Sequence, residues 1–289
     1  MTFDAFLETA WNDHGDHPQE VADRLASSLH MVATAEHIPP FARLLMHVYG
    51  EHLGQWDRGI ALLESLRRVP ASAGSAAAAG VLDRNIATLR YAGGDTSVLE
   101  ALSTEDRISV LALAASAFAG RNGMKRAIAT YAEALALAEA GLPPQSPALR
   151  ALAVGGNNLA AALEEKRDRD DAETEGMIVA ANGGLTYWKQ AGTWLEEERA
   201  EYRLTRSLLQ AGRPRDAIAS ARRCIAVCTR NDAPAIETFF GHVVLALAQR
   251  ADGDDEAFAA SRRQALALHE RVPAEEKRWC QSDLAELGD

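Results

Sequence analysis

The chain has 289 residues and a formal net charge of −11, from 30 basic and 41 acidic side chains. Apolar residues make up 47% and charged residues 25%, which excludes a disordered or collagen-like polymer and suits a chain that folds around a core. The acidic balance argues against a sequence-independent grip on nucleic acid, which needs a basic footprint, and no apolar run approaches the roughly 18 residues of a membrane span.

In chain order, helical periodicity runs almost throughout and strand alternation is absent. A hairpin is predicted over 3–36, turning at Gly15-Asp16. Met1-Thr2-Phe3-Asp4 lacks the basic and apolar regions of a secretory leader, so the expected location is cytoplasmic. Helix starts follow at Pro39-Pro40, Ser103-Thr104-Glu105-Asp106, Ser146-Pro147, Thr193 with Glu196 three residues on, Pro234 and Pro273. These are N-caps, a capping box and first-turn prolines. Turns break the pattern at Gly54-Gln55, Asn122-Gly123, Arg167-Asp168, Gly212-Arg213 and Gly253-Asp254, and a second helix follows each. The last helix is predicted over about 273–287, with Trp279, Leu284 and Leu287 among acidic neighbours, as a solvating cap. The expected class is all-α, a chain of antiparallel helical hairpins.

The second helices are alike. Gly54-Gln55-Trp56-Asp57-Arg58-Gly59-Ile60-Ala61 matches Asn122-Gly123-Met124-Lys125-Arg126-Ala127-Ile128-Ala129 and Gly212-Arg213-Pro214-Arg215-Asp216-Ala217-Ile218-Ala219, with weaker copies opening at Arg167 and Gly253. This pattern resembles the tetratricopeptide repeat (TPR), whose second helix opens with a turn, a polar pair and a small residue where the two helices cross. Gly59, Ala127, Ala172 and Ala217 are assigned that place. From Gly59 to Ala127 is 68 residues, twice the usual 34, which leaves room for a degenerate repeat around Tyr91–Leu99. The next two separations are 45 each, similar to the extended repeats of kinesin light chains. The resemblance implies a right-handed superhelix, or α-solenoid, with concave and convex surfaces. A single domain over 1–289 is expected: an N-terminal hairpin (1–38), repeats (39–271) and a capping helix (272–289).

Catalytic motifs are missing. No GxSxG, Walker loop, GxGxxG after a strand or HExxH can be read, and the expectation is a non-enzyme with no metal and no cofactor. Cys224 and Cys228, four apart on one helix face, read as small buried side chains, and no CxxC pair accompanies them or Cys280. His14-Gly15-Asp16-His17 has the composition of a ligand cluster but also of a polar turn, and the turn is preferred. His47 and His52 flank another turn and are read without a carboxylate at ligand spacing. Trp56, Trp188, Trp194 and Trp279 read as packing residues.

The remaining feature is an arginine stripe. Arg199, Arg203 and Arg206 share one helix face with Tyr202 beside them, and Arg203 and Arg206 have no acid three or four residues away. In the register of the resemblance, Arg199 and Arg203 take two basic places of a carboxylate clamp and Asn158, next to Asn157, an asparagine place. The preceding repeat departs from the clamp, with Ala112 and Ser116 where a lysine and an asparagine belong. The predicted binding set is Asn157, Asn158, Arg199, Tyr202, Arg203 and Arg206, and the expected partner is a protein or peptide, with an acidic or C-terminal carboxylate group. Two alternatives stand beside it: the arginines pair with Glu164, Glu165 or Glu237 on neighbouring helices, or the surfaces mediate homo-oligomerisation.

Overall fold

A computed structural model describes residues 1–288. The described residues form fourteen α-helices joined by short turns, and contain no strand. None of the helices is long and apolar enough to cross a membrane. The chain divides into two compact units, Met1–Gly155 and Gly156 onward.

In the N-terminal unit, α1 (Phe3–Asp13) and α2 (Pro18–Ser27) form the first hairpin, turning at Gly15-Asp16. Thr2 caps α1 through Ala5 N, and Pro18 opens α2, where its missing N–H costs nothing. Helix α3 (Ile38–Met46) starts on its proline pair and passes without a break into a π-helical turn, His47–His52. Then come α4 (Trp56–Arg67), α5 (Ala76–Ala92), α6 (Thr104–Gly120) and α7 (Met124–Ala138). Ser103 caps α6 by accepting from Asp106 N at 3.1 Å, as the sequence predicts. The core joins Phe6, Val21, Leu25, Phe41, Leu45 and Leu89, and the buried Tyr49 hydroxyl donates to Ala22 O at 3.0 Å. After α5 the degenerate repeat has only a six-residue 3-10 turn, Thr96–Ala101, in place of a full second helix.

Close crossings explain the small residues. A Cβ on Gly59 would stand 2.7 Å from Leu89 Cδ1 and 3.0 Å from Tyr49 Cβ. Ala112 is fully buried, and a Cβ on Gly155, in helix α8 (Pro147–Glu165), would meet its carbonyl oxygen at 2.4 Å. A lysine at position 112 has no room, which accounts for the departure from the clamp pattern.

The C-terminal unit takes the rest of α8, α9 (Asp171–Ala191), α10 (Trp194–Gln210), α11 (Pro214–Arg230), α12 (Ala235–Asp252), α13 (Asp255–Glu270) and α14 (Gln281–Leu287). Capping boxes start α9 at Asp170 with Glu173 and α10 at Thr193 with Glu196, the second as predicted. Gly253 ends α12 at φ +81°, a left-handed turn that favours glycine. Consecutive helices pack as neighbours, and α14 lies on α12 through a core that includes Phe239, Val243, Leu247 and Leu287.

Two sequence assignments are corrected. Ala172 is exposed: the Asp170 box fixes Asp171 as the first residue of α9, so the fourth helical place, held by Gly59, Ala127 and Ala217 elsewhere, falls on Thr174. The last helix does not begin at Pro273. Residues 273–276 turn, Lys277–Cys280 form a 3-10 turn, and α14 spans Gln281–Leu287 alone.

Candidate functional site

Helix α10 carries the arginine stripe, and each arginine meets an acid on a different helix. Arg199 donates to Glu237 of α12 at 2.7 Å. Arg203 donates to Glu164 of α8 at 2.5 Å. Arg206 makes a two-pronged pair with Glu286 of α14, at 2.8 and 2.9 Å. The pairing with Glu164 and Glu237 is the alternative the sequence offered; Glu286, 80 residues from Arg206, escaped it.

These contacts frame a cleft of about 420 Å³. Asn157, Arg199, Tyr202 and Arg203 line it, so four of the six predicted residues meet there. Asn158 is half-buried on the same helix and is not in the lining. Arg206 instead faces a smaller cleft of about 240 Å³ with Leu209, Arg250 and Glu286. Opposite α10, the larger cleft is closed by Phe240 of α12, by Trp279 and by Asp283 of α14.

Three acids stand among its walls, Glu198, Glu237 and Asp283. Glu198 is 1% exposed; Cys224 donates its thiol to one carboxyl oxygen at 3.0 Å, and the other has no partner among the described residues. Burial above all, with Cys228 and Glu237 nearby, pushes Glu198 up to about 8, so its carboxyl is protonated at neutral pH. Burial likewise raises Glu164, against the opposing pull of Arg203 and Ser207. The Tyr202 phenol is pushed up by burial and by Asp283, to which it donates.

Exposure separates the cleft residues. The Arg199 side chain is 63% exposed, whereas Arg203 is 27% exposed and leaves its Nε without a partner among the described residues. Trp279 is 55% exposed, with the Arg278 guanidinium 4.6 Å from its ring centre. That corrects its reading as a packing residue: the 3-10 turn that carries it holds the indole at the cleft's edge instead of in the core. Cys224, Cys228 and Cys280 are free and buried.

No family model matches the chain, and no curated protein matches it. Among solved structures, a single-substitution form of the nearly identical TPR-like repeats of a Podosopora anserina putative kinesin light chain superposes with a TM-score of 0.50 at 14% identity, covering 91% of this chain and 99% of that one. The same repeats without that change give a TM-score of 0.49 at 14% identity, over 78% of this chain and 95% of that one. Helical hairpins packed as consecutive neighbours, together with the first of these likenesses, establish the fold of this chain as TPR-like helical repeats.

Proposed function

We propose that the chain is a non-catalytic, cytoplasmic protein-interaction module. The cleft beside α10 takes a short peptide segment of a partner, with an apolar side chain on Trp279 and Phe240 and a carboxylate at Arg199. The observation that carries this reading is the exposed Trp279 at the edge of a cleft that also presents an exposed arginine. Tryptophan and arginine are the side chains that most often dominate binding energy at interfaces. Arg199 donates to Glu237 through Nη2, and a planar guanidinium has further N–H groups for a second carboxylate. The Asn157 amide both donates and accepts, as an extended peptide backbone requires. Arg203 and Tyr202 hold acids of the chain itself and shape the walls, and Arg206 holds Glu286 beside the smaller cleft.

The test is selection from a displayed library of peptides with free C-termini, on the wild type and on Arg199→Glu, after both show the same helical content. Enrichment of peptides that combine an apolar residue with an acid or a terminal carboxylate, lost in Arg199→Glu and in Trp279→Ala, supports the reading. Equal enrichment on the wild type and Arg199→Glu, or none on the wild type, overturns it. Self-association abolished by Trp279→Ala would assign the cleft to a second copy instead.

A further inference from the structure

Three imidazoles converge in the N-terminal unit, far along the sequence from the cleft residues. His14 ends α1, and His47 and His52 bracket the π-helical turn. Residues five apart on an α-helix point about 140° from each other. In the π turn, Leu53 N bonds to Val48 O five residues back, at 3.1 Å, and this wider winding brings the pair onto one side. His52 Nε2 donates a hydrogen bond to His47 Nε2 at 3.1 Å, a contact that a bound ion would replace. The His14 ring centre lies 4.9 Å from that of His47 and 5.0 Å from that of His52. One ring nitrogen from each histidine lies within 4.8 Å of the other two.

Two of the rings are held through their Nδ1 atoms. His14 Nδ1 is 2.5 Å from the Trp11 carbonyl oxygen, and a carbonyl only accepts, so Nδ1 carries the proton and Nε2 keeps its lone pair. His47 Nδ1 is 3.0 Å from the Glu51 carboxylate, which fixes the same tautomer. Contrary to the expectation that this pair lacks a carboxylate, Glu51, four residues after His47, supplies one to His47 Nδ1. Carbonyl and carboxylate acceptors behind the imidazoles are the outer shell that metal-bound histidines use. The inner separation of 3.1 Å is close to the roughly 3.3 Å between ligand atoms about 2.0–2.1 Å from a tetrahedral zinc ion.

The surroundings fix the turn. Arg121 donates to His52 O at 3.0 Å, and Gly120 sits so near the turn that a Cβ there would be 2.5 Å from Glu51 O. The Trp11 ring flanks both His14 and His47, at 5.1 and 5.4 Å between centres. Burial lowers the pKa of the His14 and His52 imidazoles from the ordinary histidine value.

We propose that His14, His47 and His52 bind one divalent cation of the zinc class through three ring nitrogens, with a fourth position left to water. Side-chain rotation would need to close the widest nitrogen separation by no more than about 1.5 Å, and the Glu51 carboxylate adds negative charge behind the His47 ring. Three imidazole nitrogens with no thiolate favour zinc, nickel or copper over magnesium or calcium.

The experiment is calorimetric titration of the chelator-treated full chain with zinc chloride alone. One equivalent is expected to bind. His47→Ala and His52→Ala should each weaken binding by at least about 100-fold, Glu51→Gln by about 10–100-fold, and the exposed His30→Ala not at all. No binding to the wild type, or equal binding to His47→Ala and His52→Ala, overturns the site. If those variants lose helical content, the cobalt(II) absorption of the wild type decides: an intense visible band from a four-coordinate ion supports the site, and the weak band of the hydrated ion overturns it.

Discussion

The Tyr202 hydroxyl donates to Asp283 Oδ1 at 2.8 Å, joining α10 to a helix 81 residues further along. With the Arg206–Glu286 pair one turn away, it ties α14 to the face of α10 that carries the stripe. Asp283 is 7% exposed, and its other oxygen accepts from Ser282 at 3.2 Å. Tyr202→Phe leaves a buried carboxylate short of a donor, so a loss of about 2 kcal/mol in urea unfolding is expected. A double-mutant cycle with Asp283→Ala should recover most of it as coupling.

The stripe divides by burial. Arg199→Ala removes a mostly exposed guanidinium but leaves Glu237, whose side chain is 12% exposed, without its partner, and should cost about 1–2 kcal/mol. Arg203→Ala strands Glu164, whose side chain is 9% exposed, and should cost about 3 kcal/mol or force a proton onto it. Denaturant midpoints of the two variants, measured side by side at pH 7, check the contrast.

Glu198 makes stability depend on pH. Its folded pKa, about 8, exceeds the value of 4.5 for a free glutamate, so the folded state binds the extra proton between these limits. The stabilisation is complete below about 4.5 and is lost as pH rises through 8, by up to about 1.4 kcal/mol per pH unit. Relative to Glu198→Gln, which keeps the shape without the titration, the wild type should weaken steadily from pH 5 to pH 8. Parallel unfolding curves across that range would exclude Glu198 as the titrating group.

Two close helix crossings should tolerate a methyl group unequally. In Gly59→Ala the new carbon meets the end of the Leu89 side chain, which can turn aside, at a cost of about 1–2 kcal/mol. In Gly155→Ala it meets the Ala112 backbone carbonyl at 2.4 Å, where α6 itself must move, and about 3 kcal/mol or more is expected. Thermal unfolding of the two variants gives the order.

Local chemistry made much of this fold legible. The Thr193–Glu196 capping box, the Ser103 cap and the turns at Gly54, Asn122, Gly212 and Gly253 stand where the sequence puts them, because each is fixed by residues within one turn of itself. The small-residue place of α9 lies two residues beyond Ala172 because a second capping box, at Asp170, sets the start of the helix. The cleft was half legible. Spacing put Arg199, Tyr202 and Arg203 on one face, but no local rule leads from Arg206 to Glu286 or from His14 to His47. Nor does any short-range preference announce a π turn at His47–His52, whose winding depends on what packs around it.

The π turn also bears on how the length of this chain can vary. A helix pinned at both ends that holds one residue beyond its α-helical quota stores that residue as a wider turn. Removing Gly50 would let the segment rewind as α-helix and would leave the two histidines four apart, again on one side. Single-residue deletions are usually confined to loops; here a buried helix has the slack to absorb one while keeping its side chains in step.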